Sequence, residues 1–260
     1  MLAAVASYLD AHSQHGEWLL RIEDLDPPRE VPGSVTLIQR TLEAHGLLWD
    51  GQVEFQSRRS ELYDAALAHL EQAELLFHCS CTRATLGPHG NCNHRCSPTS
   101  DQPTSLRIDL APDPGFDDLF WGWRSLARPS TDQTLRRKDD LYAYALAVVV
   151  DDAAQHITHV IRGQDLEQQT LAQCALHRAL GNTPPRYGHL PLICNELGRK
   201  LSKQTGAAPV IDNMPVANLR SVLRLLGQQA PDPAVDSVAD LLTVASACWN
   251  PATMPALHTS

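Results

Sequence analysis

Apolar residues in this chain recur at two spacings. Leu2, Val5 and Leu9 share one side of residues 2–12, which predicts a helix stopped by Gly16. The same spacing predicts helices over 34–45, ended by Gly46, and over 60–73, with Leu62, Ala65, Ala66 and Leu70 on one face. Leu166 to Leu180 turns Leu171, Cys174, Ala175 and Ala179 inward, with Gly181 just past its end, and 216–227 and 235–248 give two more helices. Between them lie runs of strand character. Glu17–Ile22 reads as a buried strand ending in an acidic turn closed by Pro27 and Pro28. Ser105–Leu110 alternates as a half-buried strand, and His156–Ile161 and His189–Ile193 read as two more. Leu141–Val150 is the most apolar stretch and predicts a central buried strand, although its first half also suits a helix. Strands alternating with helices predict an α/β fold on a parallel sheet. No internal repeat is visible, and the prolines at 231 and 233 mark a short linker.

Composition narrows the class. The chain has 260 residues, 43% hydrophobic and 20% charged, enough for a real core in one or two domains. It has no run of ~18 apolar residues that would span a membrane. Residues 1–12 carry no Lys or Arg, so no secretory signal is expected and a soluble, cytoplasmic protein is. A net charge of −9 argues against a general nucleic-acid coat, leaving a local basic face at Arg58, Arg59, Arg136, Arg137 and Lys138 as a candidate. Of seven cysteines, Cys174, Cys194 and Cys248 sit among apolar residues and are expected to be buried thiols. An odd count argues against a disulfide framework.

The other four cysteines carry candidate chemistry. Cys79-x-Cys81 and Cys92-x-x-x-Cys96 flank a segment too poor in apolar residues to fold on its own core. Four thiolates suit one structural Zn²⁺ in a closed tetrahedral site, with His78, His89 or His94 able to replace one of them. The loop Gly198–Gln204 offers Lys200 and Lys203 around Ser202, a pattern suited to a polyphosphate. Glu23, Asp24 and Asp26, with Arg21, cluster at a predicted strand end, where α/β sheets bind ligands. They suit an ammonium group or a ribose, or form a plain acidic turn. Tyr142 and Tyr144 would share one face of a strand. Arg162 follows another predicted strand, placed either to fork a carboxylate or to sit in solvent.

Five motifs in order resemble the class I glutamyl/glutaminyl-type aminoacyl-tRNA synthetases. They are Arg21-Ile22-Glu23-Asp24-Leu25-Asp26, Gln56-Ser57-x-Arg59, Tyr144 ahead of Ala147–Asp152, His159-Val160-Ile161-Arg162-Gly163-x-Asp165, and Lys200-Leu201-Ser202-Lys203. The resemblance implies a Rossmann-like class I catalytic domain with a small zinc-binding insert and a short C-terminal helical region. Its expected parts are 1–76 and 126–205 for the catalytic domain, 77–125 for the insert and 206–260 for the helical segment. Asp26-Pro27-Pro28-Arg29-Glu30, the four-cysteine insert and the short stretch after Lys203 resemble the family's short branch. That branch activates L-glutamate with ATP, with Mg²⁺ accompanying it, and transfers the glutamyl group to queuosine at the wobble position of tRNA(Asp). The partners implied are glutamate, ATP and the anticodon stem-loop, with no membrane, for a monomer.

By the same resemblance Glu23, Tyr144 and Arg162 bind glutamate, and Lys200, Ser202 and Lys203 serve the ATP site, with the two lysines catalytic. Cys79, Cys81, Cys92 and Cys96 hold zinc, where the family often has tyrosine at the position of Cys92. Two departures are expected to matter. The family's first strand and its histidine-containing phosphate turn have no counterpart in this sequence, and Asp140 stands where glycine is usual. The alternatives are an inactive or truncated paralogue that binds RNA or glutamate, or a fragment of a glutamyl-tRNA synthetase.

Overall fold

The computed structural model describes residues 1–82, 84–86, 90–92, 96–110, 113–125, 132–193 and 210–257. Lys200, Ser202 and Lys203 lie outside these residues, as do His89, His94 and Cys194.

Helix α1 (Leu2–Ser13) buries Val5, Ala6 and Leu9, the face that the spacing predicted. The backbone then runs extended into β1 (Arg21–Ile22), far shorter than the expected strand over 17–22. The reason is its partner. β1 pairs in parallel with β2 (Glu54–Phe55), and before that the two segments are joined by isolated bonds, Asp50 N–H to Trp18 O (2.8 Å), Trp18 N–H to Asp50 Oδ2 (2.8 Å) and Glu54 N–H to Leu20 O (3.1 Å). Between them lies α2 (Ser34–Ala44), and α3 (Ser60–Gln72) follows, burying Tyr63, Leu67 and Leu70.

The expected single parallel sheet is divided. Among the described residues β3 (Leu76–Cys79), β4 (Ser105–Asp109) and β7 (Asp132–Arg136) form an antiparallel sheet in the order β3-β4-β7. β5 (Gly115–Asp118) and β6 (Gly122–Ser125) make a hairpin, and β5 continues in parallel to β9 (Arg186–Leu190) and then β8 (His159–Gly163).

Leu141–Val150 is not a strand. Its residues enter α4 (Tyr144–Ala154), in which Leu146 through Asp152 are all buried. An apolar run buried on every side loses the 3.6-residue signature, so periodicity cannot separate it from a core strand. Tyr142 and Tyr144 therefore do not share a strand face: Tyr142 bridges Arg136, while Tyr144 opens the helix. The Ala143 N–H donates to Leu135 O on β7 at 2.9 Å, which fixes where the helix starts. At the other end His156 adopts φ 55° in a closing turn, with Ile157 N–H donating to Asp152 O. That turn uses up the beginning of the strand expected at 156–161, so β8 starts at His159 and carries Arg162 within it rather than after it.

α5 (Glu167–Ala179) buries Leu171, Cys174 and Ala175 as expected. The strand expected over 189–193 lies earlier, as β9. α6 (Pro215–Leu225) and α7 (Val238–Ala247) pack with α1 in one core, which takes in Leu9, Leu219, Leu223 and Leu241. A second core joins α3, α4, β4 and β7 through Tyr63, Ile108, Leu135 and Leu146. Cys248 is exposed, contrary to expectation, because it lies just past the end of α7. No helix among the described residues is long and apolar enough to cross a membrane.

Candidate ligand cleft and metal centre

A cleft of about 740 Å³ opens between β1 and β8, with α1 and α4 contributing. It lies within the usual range for small-molecule sites, ~300–1,000 Å³. Glu23, Tyr144 and Arg162, predicted from separate motifs, all line it, together with Arg21 and Asp152. Glu23 comes immediately after β1, Tyr144 begins α4 and Arg162 lies in β8, so three elements converge on one space.

Arg162 is 7% exposed, which removes the reading of a solvated arginine. Its Nε donates to His189 Nε2 (3.3 Å), Nη1 to Gln173 Oε1 (2.7 Å), and Nη2 to Thr170 Oγ1 (2.8 Å) and Leu166 O (3.3 Å). Its guanidinium lies 4.8 Å from the centre of the Tyr187 ring. Every one of these partners is neutral. Among the described residues no carboxylate makes an ion pair with Arg162, and a buried cation without one is costly unless a ligand supplies the charge.

Behind this arginine, Asp118 Oδ2 meets His189 Nδ1 at 2.7 Å, both side chains being fully buried. Gly188, next to His189 on β9, has no room for a side chain: a Cβ would come within 2.6 Å of the Phe120 ring.

Arg21 is held differently. Nη2 donates to Asp152 Oδ1 (2.8 Å) and Nη1 to Gln155 Oε1 (2.7 Å). Burial by itself would lower the Arg21 pKa, but Asp152, Asp151 and Glu23 together raise it, so it stays charged. Asp151 is fully buried and accepts from Gln56 (2.8 Å), Arg59 (2.6 Å) and Tyr63 (2.8 Å). Glu23 opens to solvent at the cleft yet is ringed by protein. Desolvation raises its pKa, which Arg21 opposes and Asp152 reinforces. The Tyr144 phenol is also pushed up, by burial first and then by Glu23, so it remains a neutral hydrogen-bonding group.

The rest of the acidic turn faces elsewhere. Asp24 accepts from the Ser57 N–H (2.8 Å) and hydroxyl (2.6 Å), and Asp26 pairs with Arg29 and with Arg137 (3.1 Å). Tyr142 packs against Tyr63, with ring centres 5.0 Å apart. The candidate basic face is internally engaged. Arg59 binds Asp151, Arg136 binds Asp140, Arg137 binds Asp139, Arg58 covers the Phe55 ring, and Lys138 donates to Ser80 O.

The second site is the cysteine group. The sulfurs of Cys79, Cys81, Cys92 and Cys96 all lie within 4.8 Å of one another. Cys81 and Cys92 are 3.7 Å apart, and Cys92 and Cys96 are 3.3 Å apart. A tetrahedron with metal–sulfur bonds of ~2.3 Å has sulfur–sulfur edges of roughly 3.8 Å, so these thiols fit a Cys₄ metal site. Cys79 ends β3, and the Cys92 N–H donates to Asp132 Oδ2 (2.5 Å) at the start of β7. Asp132 also pairs with Arg107, which reaches Gly90 O at 2.7 Å and ties the loop to the sheet. Burial opposes ionisation of Cys96, but hydrogen bonds from the Cys92 thiol and the Ser80 backbone bring it down to about 6. His78 instead meets Thr104 at 2.9 Å and does not join the group.

Sequence reasoning missed the residues behind the cleft. Asp151 and Asp152 belonged to a motif but looked like a strand end; as helix residues they turn inward to Arg59 and Arg21. Asp118, Thr170, Gln173 and His189 come from three elements, and no local spacing announces them.

The family model for the catalytic domain of class I tRNA synthetases (E and Q) matches residues 2–111 and 93–227. A glutamyl-Q tRNA(Asp) synthetase of Neisseria meningitidis serogroup C is 45% identical over 269 residues, covering 96% of this chain and 90% of that protein. One from Xanthomonas campestris is 45% identical over 260 residues, covering 98% of this chain and 88% of that one. A crystal structure of a glutamate tRNA ligase from Elizabethkingia meningosepticum superposes with a TM-score of 0.80 at 24% identity, over 97% of this chain. This chain spans 62% of the length of that ligase, and at that identity the likeness concerns the fold.

Proposed function

We infer the function from the fact that this chain belongs to the class I tRNA synthetases (E and Q), and within them to the glutamyl-Q tRNA(Asp) synthetases. We propose that it activates L-glutamate with ATP and transfers the glutamyl group to queuosine in the anticodon loop of tRNA(Asp). The observation that carries the amino-acid half of this reading is Arg162, buried at a cleft with only neutral partners. A substrate side-chain carboxylate supplies its missing counter-charge. Glu23, across the cleft, is the acceptor for the substrate ammonium group, and the Tyr144 hydroxyl adds a neutral hydrogen bond. Beside the paired Arg21 and Asp152, Arg162 and Glu23 would take a side-chain carboxylate and an ammonium group, leaving the α-carboxylate of the same amino acid free to react.

In the proposed reaction an oxygen of the glutamate α-carboxylate attacks the α-phosphorus of ATP. The bond to the bridging oxygen breaks, and pyrophosphate leaves with Mg²⁺. Lys200, Ser202 and Lys203 would balance the charge on the phosphates; their support is the Lys-Leu-Ser-Lys motif alone. A queuosine hydroxyl then displaces AMP from the acyl carbon. The four cysteines would hold a structural zinc ion, since four thiols leave no position for a reacting water. The proposed division keeps 1–76 and 126–205 as the catalytic part, 77–125 as the insert and 206–260 as the helical segment. The proposed setting is the cytoplasm, with the protein acting as a monomer.

The test supplies ATP, labelled glutamate and queuosine-containing tRNA(Asp). Label should enter the tRNA and remain after the 3′ adenosine is removed. Label that disappears with the 3′ adenosine would contradict transfer to queuosine, and no glutamate-dependent exchange of pyrophosphate into ATP would contradict activation.

A further inference from the structure

We propose that Asp118 and His189 form a positioning pair for Arg162, fixing one imidazole tautomer so that the guanidinium is oriented without being neutralised. This deepens, and rests on, the reading of Arg162 as the residue that takes the substrate carboxylate.

A guanidinium only donates, so the His189 Nε2 facing Arg162 Nε at 3.3 Å must be an acceptor. The ring proton then sits on Nδ1, 2.7 Å from Asp118 Oδ2. Asp118 is held in turn from three sides. Its Oδ1 accepts from the N–H groups of Phe120 (2.9 Å) and Trp121 (3.3 Å), and its Oδ2 also accepts the His189 N–H (3.1 Å). Thr170 completes the arrangement: its hydroxyl accepts from Arg162 Nη2 at 2.8 Å and lies 3.1 Å from His189 Nε2, to which it can donate.

The imidazole also separates two charges. Placed directly on Arg162, Asp118 would close an ion pair of the kind that Arg21 makes with Asp152. With the ring between them, the carboxylate makes no direct contact with Arg162 and sets its orientation through the tautomer it enforces. The guanidinium is aimed by a fully buried chain of three side chains and keeps its charge for a ligand. His189 is thus a positioning residue, acting through Arg162 rather than on the substrate.

The experiment measures L-glutamate binding by titration calorimetry and the His189 tautomer by ¹⁵N NMR, in the wild type and in Asp118→Asn, His189→Gln, His189→Leu and Arg162→Met. The wild type should show the Nδ1–H tautomer. Asp118→Asn keeps the shape but turns an NH₂ toward Nδ1, which drives the proton to Nε2, against Arg162. Its glutamate Kd should rise about tenfold or more, the effect of one lost hydrogen bond to a charged group. His189→Gln places an amide oxygen near the position of Nε2 and should bind within a few-fold of wild type, whereas His189→Leu should resemble Asp118→Asn. An Nε2–H tautomer in the wild type would overturn the proposal, as would equal binding by the Gln and Leu variants; both results are accessible even when Asp118→Asn does not fold. Wild-type affinity in Arg162→Met would sink the underlying reading and this one with it. Lost affinity there with unchanged affinity in a folded Asp118→Asn would sink only this one.

Discussion

Arg21 and Arg162 line the same cleft and are partnered in opposite ways. Arg21 comes from β1 and is closed by Asp152, with Asp151 Oδ2 3.9 Å from its Nε; Arg162 comes from β8 and touches only neutral groups. Both are mostly buried, so solvent does not explain the difference. A cation matched by protein carboxylates holds elements together, here β1 to α4. A cation supported by amide, hydroxyl and imidazole is kept in place without a direct ion pair, its charge reaching Glu23 and Asp152 only at longer range. On the proposed reading, one cleft separates scaffolding charge from recognition charge by the choice of acceptor.

Stability measurements give the strongest means of breaking that contrast. Asp151→Ala strips a fully buried carboxylate from Arg59, Gln56 and Tyr63 and should cost ~3–5 kcal/mol, read as a fall of roughly 10 °C in Tm. Arg162→Met removes a buried cation that has no carboxylate partner but also the donor to Gln173, Thr170 and Leu166, so Tm should fall less than in Asp151→Ala, while glutamate binding falls by about 10²-fold or more. A loss of stability in Arg162→Met as large as that in Asp151→Ala would erase the distinction.

Lys203→Ala should lower glutamate-dependent pyrophosphate exchange by roughly 10²-fold with little change in glutamate affinity, as expected for charge stabilisation that acts on the phosphates. Equal losses in both would move Lys203 into the amino-acid site. A smaller effect is expected at the cysteines. Chelation should release about one zinc per chain, measured by metal analysis of fresh protein, and loosen the segment from 79 to 96 in hydrogen exchange.

The smallest effect concerns Glu23. Its pKa is raised in the folded state, so its contribution to stability is fully present below its ordinary value and is lost as pH rises through the raised one. Glu23→Gln should therefore raise Tm slightly at neutral pH, by melting curves, and weaken glutamate binding. In the wild type, affinity should fall as pH drops through that raised value and the acceptor for the ammonium group is protonated. A flat pH profile would leave Glu23 without that task.

The amphipathic helices were legible because one face meets water: α1, α2, α3, α6 and α7 fall within a few residues of where the spacing put them. α5, although buried from Thr170 to His177, was legible because polar residues punctuate its sequence. α4 was misread because its buried run up to Val150 is apolar at every position and rich in valine, which suits a core strand equally well. β5, β6 and β7 were missed because Gly115–Asp118, Gly122–Ser125 and Asp132–Arg136 are short and polar; β5 and β6 close on each other as a tight hairpin, while β5 and β7 also pair with β9 and β4, which lie far away in sequence. The site divides along the same line. Glu23, Tyr144 and Arg162 were visible as motif residues, and the fold brings them to one cleft. Their supports were not: whether an arginine is neutralised or left charged depends on which side chains arrive from other elements.

The start of α4 has a consequence for redox chemistry. Ala143, one residue before Tyr144, is hydrogen-bonded to Leu135 on β7, and β7 belongs to the sheet whose outer strand ends at Cys79. The phenol at the cleft and the first thiol therefore share a foundation. Bridging the cysteines as disulfides would strain the strand end at Cys79 and, through it, the sheet from which the phenol is hung.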